Sequence, residues 1–439
     1  MLLTGGLLAP MASCSQKEEA RTNWAGNLAY ATDKLLLPKS VEEVQKMVRG
    51  VTKLRALGTR HSFNRIADSV DNQISLQGLD QTIEIDPSSN SVTVGAGVTY
   101  GKLAPYLHER GYALHNLASL PHISVAGACA TATHGSGVQN GNLSSAVSAI
   151  ELVTAEGEVV SFSLKKDAET FSGSVVGLGG LGVVTKVTLD IQPTFNVRQD
   201  VYLDLPMAQL KDHFDEIMSS GYSVSLFTDW TGQRVNQVWV KRRVDGNTSS
   251  LPQDFYGATA AIKNVHPIIS ISAENCTEQM GVPGPWHERL PHFKMNFTPS
   301  SGKELQAEYF VPRHHAIEAI LAVDRLHEQI SPLLQISEIR SINADTLWMS
   351  PCFQQPCIAI HFTLKQDWPA VKNLLPVIEK ELTPFEARPH WAKLFTMSPE
   401  RLQPLYGKLP DFQALLKHYD PKGKFRNEFL DTNIFGGQA

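Results

Sequence analysis

A chain of 439 residues, 42% hydrophobic and 19% charged, is long enough for more than one hydrophobic core and has the composition of an ordinary folded protein. Its formal net charge of -5 excludes an extensive nucleic-acid-binding surface. The densest basic run, Lys241-Arg242-Arg243, reads as an exposed strand end.

In chain order, Met1 to Ser13 carry no charge, and Met11-Ala12-Ser13-Cys14 runs into polar Ser15-Gln16-Lys17-Glu18-Glu19. Residues 1–20 therefore read either as the second half of a bacterial secretion signal, with a lipid anchor at Cys14, or as an apolar tail. The first reading implies an exported, periplasmic or membrane-anchored lipoprotein, the second a cytoplasmic protein. Beyond this segment no uncharged apolar stretch reaches the roughly 18 residues of a membrane span. Ser40-Val41-Glu42-Glu43 is a capping box, and Val41, Val44, Met47, Val48 and Val51 follow at helical spacing. Strands are expected at Lys53–Leu57, Ser91–Val94, Ala149–Thr154 and Val183–Ile191, with a helix around Leu103 and Leu107. After Pro193 come strands rich in aromatics, then a Pro- and His-rich stretch to Pro299. A helix from His314 to Gln329 and strands at Ile336–Ile342 and Ile358–Leu364 complete a second unit. Short strands interleaved with single helices define the fold class as α+β, in two domains.

From Tyr112 through Ile150 no residue is acidic or basic, histidines aside. This run holds the hydroxyls of Ser119, Ser124, Thr131, Thr133 and Ser136 among Gly127, Gly135, Gly137 and Gly141. Such a segment suits a pyrophosphate bound by backbone N–H groups and hydroxyls, since each buried hydroxyl needs a partner. Gly177-Leu178-Gly179-Gly180-Leu181-Gly182 matches G-x-G-x-x-G, yet it precedes a strand instead of opening a helix, so a Rossmann site is rejected. Five cysteines show no zinc spacing and no metal is expected; Cys352 and Cys357 are either a pair or buried free thiols.

Period-two spacing puts Glu338 and Arg340 on one strand face. Another strand splits into an apolar face (Ile358, Ile360, Phe362, Leu364) and a face with Ala359, His361 and Thr363. Lys393 is flanked at the same spacing by Trp391 and Phe395, so an ammonium among aromatic rings is expected. Taken alone, Glu338 and Arg340 read as a surface ion pair, and His361 with Thr363 as a solvated sheet face.

Gly58-Thr59-Arg60-His61-Ser62-Phe63-Asn64, the segment Ala118 to Gly137, and Asp420-Pro421-Lys422-Gly423-Lys424-Phe425-Arg426-Asn427 occur in one order. Together they resemble the vanillyl-alcohol-oxidase-type FAD family, in the branch of sugar-1,4-lactone oxidases and alditol oxidases, from about Asn23 to Phe429. Asn23-Trp24-Ala25-Gly26-Asn27, Cys276-Thr277-Glu278-Gln279 and Pro285-Trp286-His287-Glu288 are most similar to the alditol oxidases. The resemblance implies a PCMH-type FAD-binding domain over 21–195, a substrate (cap) domain over 196–400, and a C-terminal segment, 401–439, returning to the FAD site. It implies FAD held by Gly58, Thr59, Arg60, His61, Ser62, Asn64, Ser119, Ser124, Gly127, Thr131, His134 and Gly135, bonded covalently through the His61 ring. It also implies a substrate set of Ser119, Glu338, Arg340, His361, Thr363 and Lys393 around a polyol. Arg340 and Lys393 would polarise or help deprotonate the reacting hydroxyl, Glu338 would orient Arg340, and O2 would be reduced to hydrogen peroxide. Arg60 departs from the Gly common in lactone oxidases; its guanidinium could reach a phosphate. His390-Trp391-Ala392-Lys393 is close to the H-W-G-K of lactone enzymes, so an arabinono- or gulono-1,4-lactone oxidase or dehydrogenase is the alternative. A monomer is expected.

Overall fold

The computed structural model describes residues 21–244, 252–297 and 302–437. The signal-or-tail segment with Cys14 lies outside the described residues. Two sheets organise the chain. An antiparallel five-stranded sheet has the order Ile83–Asp86, Ser91–Gly95, Val183–Asp190, Val147–Val153, Val159–Ser163. Beside it, Leu35–Leu36, Gln73–Ser75 and Arg55–Leu57 form a small parallel sheet. The expected N-cap forms, with the Ser40 side chain accepting from the Glu43 N–H, but the Glu43 carboxylate reaches one residue past the cap to the Lys39 N–H; Val44 and Val48 of the helix Val41–Arg49 are buried.

The second sheet has ten strands. Asn196–Pro206, Arg234–Val244, Ser223–Thr228, Leu334–Ile342, Cys357–Lys365 and Glu304–Pro312 lie side by side in that order. One face carries Ile339, Ile358, Ile360, Phe362 and Leu364 into a core closed by the helices Met207–Ser219, Ala316–Asp324 and Trp368–Leu382. The opposite face turns toward the first sheet. The period-two split in Ile358–Leu364 is therefore real, but the polar face is buried by the facing domain instead of solvated. The single helix expected over His314–Gln329 is a 3₁₀ turn at Arg313–His315, the helix Ala316–Asp324, and a short turn of helix at His327–Ile330. Its break has a local cause: the His327 ring donates to the Asp324 carbonyl that helix continuation would have used.

Residues 399–433 pack back on the first core through Leu402, Phe412, Leu416 and Leu430. The Asp420 carboxylate accepts from the N–H groups of Lys424 and Phe425, both at 2.7 Å, and Lys424 Nζ donates to the carbonyls of Val48 and Ala155. This segment ties chain ends together without lining the central cavity. The four described cysteines, Cys352 and Cys357 among them, are free and buried. No helix among the described residues is long and apolar enough to cross a membrane.

Candidate active site

A cavity of about 550 Å³ lies between the two sheets, within the range of ligand sites. One half is built from backbone and small side chains. The loop Gly58–Ser62 leaves the strand Arg55–Leu57 and faces Ser124 and Gly127. A Cβ on Gly58 would stand 2.8 Å from Ser124 Oγ and one on Gly127 2.7 Å, so both glycines keep space that a side chain would fill. The glycine run Gly177–Gly182 also lines this half, although sequence patterning set it aside. It is no helix-opening turn: Leu178 (φ 51°) and Gly179 (φ 69°) are left-handed, which aims their carbonyls at the buried Arg55 guanidinium at 2.9 Å each. Arg55 also donates to the carbonyls of Phe425 and Ile66.

All the cofactor residues expected from sequence line this cavity except Asn64 and Gly135. The Asn64 amide donates instead to the carbonyls of Trp391 (2.8 Å) and Lys393 (2.7 Å), and a Cβ on Gly135 would collide with Asn116. Arg60 (φ 65°) reaches the Thr22 carbonyl. His61 is packed against Trp24, ring centroids 4.4 Å apart, and its Nδ1 lies 3.2 Å from His122 Nε2. Burial first, then His122, push the His61 pKa down to about 3, so the ring is neutral and nucleophilic. His122 Nδ1 is buried and has no hydrogen-bond partner among the described residues. Space kept by glycines and a wall of backbone and hydroxyls fit a large, flat, hydrogen-bonding cofactor such as FAD.

The other half is built from charged side chains on the sheet. Ser119, Glu338, Arg340, His361, Thr363 and Lys393 all line it. Register explains the assembly, because His361 is paired with Glu338 on one neighbouring strand and Glu308 on the other. Glu308, absent from the sequence reading, is the hub. Its carboxylate is fully buried and accepts from Arg340 Nη2 at 3.0 Å and Lys393 Nζ at 2.6 Å. Arg340 is thus oriented chiefly by Glu308; its Nε stands 3.6 Å from Glu338. Burial opposes ionisation of Glu308, but the Lys393 and Arg340 cations outweigh it and hold the carboxyl well below the usual range. Burial likewise pulls Lys393 below the usual lysine range, partly offset by Glu308. Burial and Lys393 push His361 down to about 4.

These contacts fix hydrogen-bond polarity. Lys393 Nζ donates to His361 Nδ1 at 2.7 Å, so His361 Nε2–H donates to Thr363 Oγ1 at 3.1 Å. The Thr363 hydroxyl hydrogen is left for another acceptor. A second arm reaches Glu338. Lys241, expected at an exposed strand end, is 1% exposed: its ammonium donates to the carbonyls of Leu290 (2.6 Å) and Pro291 (3.0 Å) and approaches His292 Nδ1 at 3.3 Å. His292 Nε2–H then donates to Glu338 Oε1 at 2.7 Å. Burial pushes the Lys241 pKa down to about 7. Lys393 is also corrected: His390–Lys393 is a turn, closed by Lys393 N–H to the His390 carbonyl, so Trp391 does not share its face. The Trp391 indole donates to the Met349 carbonyl, and the lysine's neighbours are Glu308 and His361. Glu308 sits inside otherwise strand-like sequence, where a lone charge was the available signal, whereas Lys241 was masked by the basic run it opens with Arg242 and Arg243.

An FAD binding domain family model matches residues 32–163, and a D-arabinono-1,4-lactone oxidase family model matches residues 291–433. An alditol oxidase from a Streptomyces species is 46% identical over 95% of this chain and 99% of its own length. An L-gulono-1,4-lactone dehydrogenase from Mycobacterium tuberculosis is 27% identical over 93% of this chain and 97% of its own. Among solved structures, a cholesterol oxidase from B. sterolicum superposes with a TM-score of 0.77 at 15% identity, covering 97% of this chain and all of the other, which establishes a shared fold.

Proposed function

Because this chain belongs to the alditol oxidase family of FAD-dependent oxidoreductases, we propose that it oxidises the terminal hydroxyl of a polyol such as xylitol or sorbitol to the aldose, with O2 reduced to hydrogen peroxide. The observation that carries this reading is one cavity joining the His61 loop to the Glu338–Arg340–Glu308–Lys393–His361 cluster. Bound FAD supplies hydride acceptance and its onward reaction with O2. Gly58 to Ser62, with Ser119, Ser124, Gly127, Thr131 and His134, would hold it, and the neutral His61 ring would anchor it covalently. The cap residues do the rest. Glu338 accepts from a substrate hydroxyl, while Thr363 and Lys393 donate to others, so the pocket offers both polarities that a buried polyol requires. Arg340 and Lys393 place positive charge where the reacting oxygen sheds its proton. The rigid sheet holds all of them in register.

Hydrogen peroxide release from a panel of xylitol, sorbitol and aldono-1,4-lactones tests the reading. Peroxide from the polyols is expected; peroxide from lactones alone would reassign the enzyme to the lactone reading, which the match over residues 291–433 favours. Covalent attachment is checked separately: yellow colour should stay with the protein in SDS and be lost from His61→Ala.

A further inference from the structure

The oxidation leaves a hydroxyl proton to be placed, and the pocket's charges are already balanced. Glu308 and Glu338 face Arg340 and Lys393, while burial keeps His361 and His292 neutral with pKa values near 4. One imidazole among these residues is left in an unfinished state. His134 Nδ1 lies 2.8 Å from the Gly135 carbonyl, which can only accept, so Nδ1 carries the ring hydrogen. In the neutral ring Nε2 is then a bare lone pair, and it stands 3.2 Å from Glu308 Oε1, another acceptor. Nε2 is buried and has no hydrogen-bond partner among the described residues. Two acceptors held face to face in a closed interior are a place for a missing proton.

Resting on the alcohol oxidation proposed above, we infer that His134 stores the substrate's hydroxyl proton, delivered through Lys393 and Glu308. The route is short. As Lys393 Nζ takes the hydroxyl proton it passes its own to Glu308 Oε2, 2.6 Å away, and a half-turn of the neutral carboxyl about its Cγ–Cδ bond carries that hydrogen to the side facing His134 Nε2, which takes it. The substrate O–H bond breaks and a His134 Nε2–H bond forms. The carbon-bound hydrogen leaves with its electron pair to FAD, the O–H electrons become the second bond of the carbonyl, and Lys393 and Glu308 end as they began. The imidazolium then pairs with the Glu308 carboxylate, and the reduced site keeps the positive charge that peroxide formation consumes. Burial first and then Arg340 pull the His134 pKa below the ordinary 6.5, so the ring is neutral at rest, while Glu308 works the other way and favours the imidazolium. The charged or titratable groups facing His134 besides Glu308 are Arg340, whose Nη1 lies 3.4 Å from the His134 carbonyl, His390, at a ring distance of 6.2 Å, and Lys393. The arrangement makes His134 a positioning residue for a proton, with no contact to the substrate required.

The test counts protons. Flavin-loaded protein is reduced anaerobically, in weak buffer at mildly alkaline pH with an indicator dye, by whichever polyol or lactone bleaches the wild-type flavin. Bleaching by a polyol reports on the proposed function; proton release reports on His134. Wild-type protein should release almost none, whereas His134→Gln should release about one proton per flavin and reduce about 10²-fold more slowly, with substrate KM little changed. Glu308→Gln, which cuts the route, should also release its proton. About one proton from the wild type, or retention by His134→Gln, overturns the inference. Loss of flavin from Glu308→Gln also counts against it, because Glu308 stands on the substrate side of the cavity and a proton relay is not needed to seat the cofactor.

Discussion

The two halves of the cavity are built on opposite principles. The wall from Gly58 through Gly127 to Gly182 uses backbone, hydroxyls and empty space, with a neutral His61 backed by His122. The wall on the large sheet uses two carboxylates, two cations and neutral imidazoles, nearly all buried. A cofactor that stays bound is held by shape and many weak contacts. A substrate that comes and goes is met by a few strong ones that are already paired with each other.

The sharpest way to break this contrast is Glu308→Leu. It leaves Arg340 and Lys393 buried beside one another without their shared anion, and a loss of about 3–5 kcal/mol is expected in denaturant unfolding. An unchanged midpoint would mean that the cluster does not depend on its hub. Arg340→Ala or Lys393→Ala should lower turnover about 10²–10³-fold with flavin content intact, since each removes a preorganised charge. Near-wild-type activity in both would move the chemistry elsewhere. Gly127→Ala acts on the other half: its Cβ would press to 2.7 Å from Ser124 Oγ, at an overpacking cost of about 1–3 kcal/mol. Flavin content should fall there, while apoprotein fold by circular dichroism remains.

The gentlest prediction concerns acid. His61, His292 and His361 have folded pKa values of about 3, 4 and 4, below the ordinary 6.5. The unfolded chain binds more protons at these groups, so their contribution is fully present above pH 6.5. It fades as pH falls toward 4, by about 1.4 kcal/mol per pH unit for each group. His292→Gln should flatten that acid slope while sparing bound flavin; an equally steep slope would show that His292 does not titrate on unfolding.

Much of the cofactor half was legible because it is local. Its loop and its uncharged segment are short runs whose composition is abnormal as they stand. The face that carries Glu338, Arg340, His361 and Thr363 was legible from alternation, but its burial was not, because the facing domain that covers it is hundreds of residues away in the chain. Glu308 escaped for the same reason: its partners come from strands 30 or more residues on and from a turn 85 residues away. Lys393 was found through its motif and given the wrong neighbours, since a turn had been read with the period of a strand.

The Asn64 amide, bridging to the Trp391 and Lys393 carbonyls, and the Phe63 N–H to the Ala392 carbonyl at 2.7 Å, have a consequence for protein engineering. They fasten the loop that carries His61 to the turn that carries Lys393, so the two cannot be inherited independently. A chimaera that takes its cap from one relative and its nucleotide-side domain from another must take both segments from the same parent. Otherwise the oxidising and substrate-gripping halves will be assembled from mismatched templates, each well folded and neither in reach of the other.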